Sequence, residues 1–243
     1  MLHRLALVIA LLGVLSLMVA AQTTANPLRR TISVTGKAER RVSPDLGIVV
    51  LAIQTQGSAL TRVTQQNNAT TNAVMNAVRK LAIPNLALRT LVFDVQPVYE
   101  QGTPEHPAPN PPKIIGYQVT NRLEVRIPDA ETARLSDNAG RVLEVALEAG
   151  ANRVDSITFT LQDERPVLRA VLADATRDAA STAAALASAA GVTLGPLMTL
   201  NTSQYVQPMP MFARAAAEVA APVPVVAGEL TVQATVSAVY EIR

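Results

Sequence analysis

Between Ile115 and Ile127 the chain alternates without a break. Ile115, Tyr117, Val119, Asn121, Leu123, Val125 and Ile127 take one set of positions, and Gly116, Gln118, Thr120, Arg122, Glu124 and Arg126 take the other. A period of two sends these sets to opposite faces of a β-strand, one row to be buried and one left in water. Such a strand belongs to an antiparallel sheet covered on one side, because strands buried on both faces read as continuous apolar runs. The same alternation recurs over Val154–Gln162 and from Leu230 to Ile242.

Further strands are expected over Ile32–Val42, Leu46–Thr55, Ala87–Val98 and Val192–Thr202. Ser43-Pro44-Asp45 is a tight turn signal, so the first two strands are expected to form an antiparallel hairpin. Helical spacing appears three times. Ser58–Leu81 has Ser58 as its cap, Leu60, Val63, Val74, Val78 and Leu81 on one side, a polar middle at Gln65–Asn68, and Pro84 as its stop. Ala130–Ala149 has Asp129 before it and Gly150 after it. Glu164–Ala190 is rich in alanine, the strongest helix former, with Leu168, Val171, Leu172, Ala175, Ala179, Thr182 and Leu186 as its packing face.

Pro97–Pro112 holds six prolines and Gln207–Gly228 four, so both read as long exposed loops. The class is α+β: an antiparallel or mixed β-sheet with about three helices packed mainly on one face, joined by long Pro-rich loops. No Gly-rich loop follows any strand, which argues against a doubly wound nucleotide fold.

The first 21 residues read as a signal peptide. His3 and Arg4 open it, Leu5–Ala21 carries no charge, and Val19-Ala20-Ala21 offers small residues for cleavage before Gln22. The apolar run is shorter than the roughly 20 residues a spanning helix needs, so the mature chain is not expected to span a membrane. Residues 22–30 form a flexible N-terminus, and 31–243 the folded domain. A periplasmic or secreted location follows. An exported protein without cysteine cannot use disulfides, so packing or oligomerisation must stabilise it.

Chemistry is scarce. The mature chain keeps one histidine, His106 in Pro104–Pro109, and has neither cysteine nor tryptophan. That excludes most nucleophilic, acid–base and zinc chemistry, and no catalytic, cofactor-binding or metal-binding residue is assigned. Net charge is +2, or +1 without Arg4, and aromatics are 3% of the chain, so nucleic-acid binding is not expected. Asp174 and Asp178 pose as a carboxylate pair, but Arg169 and Arg177 beside them favour a solvated charged face. Asn121 interrupts an apolar row and must be bonded, or sit at a strand end, a rim or an interface. Met209, Met211 and Phe212 make an apolar loop tip, suited either to a contact surface or to folding back on the core.

Several stretches together resemble the SIMPL domain family, a bacterial envelope domain of unknown function. Ile32-Ser33-Val34-Thr35-Gly36 through Val42-Ser43-Pro44-Asp45 is similar to its opening strand and turn, although Lys37-Ala38 departs from the acidic and glycine residues common there. Ile115–Asn121 resembles its central strand, Ala183–Gly195 its helix exit, and Gly228–Val232 running to Tyr240 its closing strand. The resemblance implies an exported protein without cofactor, a tendency to large ring-like homo-oligomers, and a link to envelope maintenance and oxidative stress. Self-association is therefore the leading expectation. A monomeric module for a peptide or hydrophobic ligand, and a carboxylate-based hydrolase, are the alternatives.

Overall fold

The computed structural model describes residues 29–102, 109–210 and 225–243, with 203–210 described as backbone only. The chain runs β1 (Thr31–Val42), β2 (Leu46–Gly57), α1 (Leu60–Lys80), β3 (Ala87–Tyr99), β4 (Ile114–Pro128), α2 (Thr132–Glu148), β5 (Arg153–Thr160), α3 (Arg165–Ala189), β6 (Leu194–Pro210) and β7 (Leu230–Ile242). These strands make two sheets rather than one: a four-stranded sheet in the order β3-β4-β2-β5 and a three-stranded sheet in the order β1-β7-β6. Every pairing is antiparallel. The α+β class holds, with α1 and α2 on one face of the larger sheet and α3 on one face of the smaller.

The expected β1–β2 hairpin does not form. β1 pairs along its whole length with β7, from Thr31 opposite Glu241 to Val42 opposite Leu230. The Ser-Pro-Asp turn instead passes the chain from one sheet to the other. Pro44 is buried, and Asp45 is tied to the larger sheet and the residues that follow its strands by several hydrogen bonds. Its N–H donates to Thr160 O (3.1 Å), its carbonyl accepts from Asp129 N (3.1 Å), and its carboxylate accepts from Gln162 N (2.6 Å).

Helix caps also depart from expectation. Ser58 makes no cap, and α1 begins after Ala59 without a side-chain bond. Asp129 lies two residues before the N-cap Glu131 of α2, where its Oδ1 accepts from Glu131 N at 2.9 Å. Gly150, at φ +110°, does end α2 as a residue in the left-handed region should.

Both expected loops are shorter than read. β3 continues through Pro97 to Tyr99, and β6 through Pro208 to Pro210. Each is an edge strand, where a residue without an N–H can sit facing away from the ladder. β6 also slips register at four places, one spanning Gly195-Pro196 and another spanning Gln207-Pro208.

α3 packs through Val171, Ala175, Ala179, Ala183 and Ala187, while Thr182 and Leu186 of the expected face are exposed. The spacing of four leaves a strip of methyl groups over β1. A Cβ added at Gly36 would collide with Ala175 O and Ala179 N and come within 2.8 Å of Ala179 Cβ, so strand and helix backbones touch there. A short strap joins the two halves: Val225 packs on the core beneath α1 and α2, and Ala227 N–H donates to Ser136 Oγ of α2 at 3.0 Å.

Candidate interaction surfaces

Two buried polar residues, Asn67 and Thr71, lie at the α1–sheet contact. Val63, Asn67, Thr71, Val74 and Val78 form the buried stripe of α1. Asn67 is fully buried, and its Nδ2 approaches Ile53 O (2.9 Å), Val119 O (3.2 Å) and Thr55 Oγ1 (3.2 Å), while Thr71 Oγ1 reaches its Oδ1 at 3.5 Å. One amide thus bolts the helix to two neighbouring strands. Of the polar middle of this helix only Asn67 is core; Gln65, Gln66 and Asn68 are exposed.

Asn121 stands in the buried row of β4, opposite Ile53 on one side and Phe93 on the other. Its side chain is buried, and its Oδ1 has no hydrogen-bond partner. A buried carbonyl oxygen left unpaired is rare. It lies beside the part of the sheet the helices do not reach, since α1 and α2 sit over β2 and β4 rather than β3. Phe93 and Val95 share this face and are 47% and 39% exposed. Leu91, Val92, Tyr99, Ile114 and Ile115 extend the exposed apolar area around β3.

The two sheets have four edge strands: β3, β5, β1 and β6. Natural sheets guard such edges with charge, bulges or shortness. β1 carries Lys37, Glu39, Arg40 and Arg41, and β5 is eight residues long with Arg153 and Asp155. β6 has no charged residue from Leu194 to Pro210, and exposes Leu197, Met198 and Leu200. β3, with Arg89 and Asp94 as its charges, and β6 are both broken by register shifts, yet they are the two long edges with the most exposed apolar side chains, and they belong to different sheets.

The other face of the larger sheet is ionic. Arg89 grips Glu124 with two hydrogen bonds (2.8 and 2.9 Å), and Arg126 adds a third contact at 3.6 Å. Two strands away, Asp155 is held by Arg153 (2.5 Å) and Arg122 (2.6 Å). The Arg122 contact is an ion pair by distance only, because its buried Nε–H is not directed at any acceptor. Hydrogen bonding from Arg89 holds the Glu124 carboxyl below its ordinary range, and Glu124 raises Arg89 in turn. Arg134 does the same for Asp129, Arg165 for Asp163 and Arg40 for Asp174.

Met209 is a strand residue opposite Thr231 in β6, not part of a loop tip. Met211, Phe212 and His106 lie outside the described residues. Asp174 and Asp178 do not pair with one another: Asp174 binds Arg40 and Arg177, and Asp178 accepts from Lys37 N at 2.9 Å, so both fasten β1 to α3. Among the described residues no three His, Cys, Asp or Glu side chains gather as metal ligands. An open cleft of about 400 Å³ lies between α1 and α2, lined by Ala77, Lys80, Leu81, Val145, Glu148 and Ala149. The apolar edges and the arginine pairs were missed from sequence. The alternation Arg122-Glu124-Arg126 was visible, but its cross-strand partners were not.

Known proteins match this chain in sequence over nearly its full length. The chain is 31% identical over 245 residues to a 26 kDa periplasmic immunogenic protein of Brucella abortus, covering 97% of this chain and 94% of that one. It is 30% identical, with the same coverage, to the protein of that name in Brucella melitensis biotype 1. Residues 32–240 match the family model SIMPL, described as a protein of unknown function (DUF541). With the model covering most of the chain and these relatives aligned along 97% of it, the protein belongs to the SIMPL family.

Proposed function

We propose that this is a non-enzymatic periplasmic protein that works by assembling with copies of itself, in the service of envelope maintenance and resistance to oxidative stress. The observation that carries this reading is the pair of long apolar edges, β3 and β6, on different sheets of one molecule. An unpaired edge offers a row of N–H and C=O groups to another strand. Two unlike edges favour a head-to-tail contact, β3 of one copy against β6 of the next, which closes into a ring or extends as a filament. The orphaned Asn121 Oδ1 beside Phe93 supports a contact at β3, where a donor from a neighbouring chain would satisfy it. The described carboxylates with lowered pKa are each bound to a guanidinium rather than poised near neutrality, which supports a structural role.

Periplasmic placement is supported by the leader-like N-terminus and by the names of the relatives. Light scattering during size-exclusion chromatography of the protein beginning at Gln22 tests assembly. A mass of several subunits at micromolar concentration is expected, and a strict monomer overturns the proposal. The cleft between α1 and α2 favours one alternative, a monomeric module for a peptide or hydrophobic ligand. That module would melt higher with ligand while keeping its subunit mass.

A further inference from the structure

We infer that the helix-free face of the four-stranded sheet is a docking surface for an anionic phospholipid leaflet. Two carboxylates lie low on this face, Glu124 with 9% and Asp155 with 17% of the side chain exposed. Each is shared by two arginines that stand higher: Arg89 and Arg126 on the first, Arg122 and Arg153 on the second, with 38–61% of each side chain exposed. Counting Asp94, which faces the same way opposite Thr120, four guanidiniums meet three carboxylates, and the cations form the outer layer.

One guanidinium satisfies a carboxylate bidentately, as Arg89 does for Glu124. Arg126 therefore keeps most of its five donors free, and Arg153, which gives Asp155 one hydrogen bond through Nε, keeps those of its terminal amino groups. The carboxylate beneath fixes each in position, so little side-chain freedom is lost when an external oxyanion binds. The face is a platform rather than a pocket, and the arginine cluster contains no aromatic side chain. A protein partner needs a desolvated apolar or aromatic anchor at the centre of its interface. A layer of phosphate headgroups needs only arrayed charge, each arginine contributing separately. Single-stranded nucleic acid would require stacking platforms that are absent from the cluster. The cluster lies on the sheet face but reaches the β3 edge strand through Arg89, so assembly through that edge would bring the clusters of neighbouring copies together and multiply their avidity.

Sedimentation with vesicles tests this, using the protein beginning at Gln22 so that the apolar leader contributes nothing. Binding is expected to phosphatidylglycerol-containing vesicles at low ionic strength, but not to pure phosphatidylcholine. The double substitution R126Q/R153Q leaves Arg89–Glu124 and Arg122–Asp155 in place and should lower partitioning about thirtyfold. R79Q/K80Q, which removes the same charge from the exposed end of α1, should change it by roughly twofold or less. Absence of binding to the anionic vesicles overturns the inference, as does an equal loss in both double variants. Equally tight retention by soluble polyglutamate overturns the lipid assignment.

Discussion

Single residues hold this fold at points where an amide or carboxylate has no substitute nearby. Asn67 donates from the middle of α1 to carbonyls on two strands, so Asn67→Leu removes the donor and leaves Ile53 O and Val119 O buried. That change should destabilise the protein by about 2–3 kcal/mol in denaturant titration, and a neutral result would contradict the bolt. Glu124 makes a prediction in pH. Its folded value lies below the unfolded value near 4.5, because Arg89 hydrogen-bonds the ionised form. Protons therefore bind the unfolded state first on acidification. The contribution is complete above the unfolded value and is lost as pH falls through the lower folded one. Glu124→Gln should lower the melting midpoint near neutrality, and the gap from the parent should narrow on acidification below 4.5. A gap independent of pH would contradict this.

At the scale of elements, α3 and β1 are locked by smallness. The methyl strip of Ala175, Ala179 and Ala183 meets Gly36 with no room for another carbon. Gly36→Ala should destabilise the protein by about 3 kcal/mol, near the upper end for overpacking, although alanine is no worse than glycine for an extended backbone. Equal stability would show that the helix can lift away at little cost.

Much of this level was legible in sequence. The alternation Ile115–Ile127 matches β4, and the three helices lie within one or two residues of their periodic signals. Asn67 was legible in principle, because Val63, Asn67, Thr71, Val74 and Val78 share one helical stripe, yet the polar run around it reads as solvent-facing. The pairing of β1 with β7 was not legible. A Ser-Pro-Asp turn states that the chain reverses locally, not which sheet receives the next strand, and that choice rests on contacts some 200 residues apart. Pro97 and Pro208 misled for a related reason: proline forbids a central ladder position but not an edge, and edge status is a property of the sheet.

At the scale of the whole molecule, two helix-covered sheets leave two unlike apolar edges, one on each. No amino-acid pattern marks these edges, because exposure depends on which strands the helices fail to reach. The central claim is that copies join through β3 of one and β6 of the next. Its most direct test uses two blocked variants, Phe93→Lys with Val95→Lys on β3, and Leu197→Lys with Leu200→Lys on β6. Each variant keeps one open edge of a different kind, so each alone should be monomeric. Light scattering of an equimolar mixture should then give the mass of a one-to-one dimer that grows no further. Dimers of either variant by itself, or a mixture that stays monomeric while the parent assembles, would contradict the account.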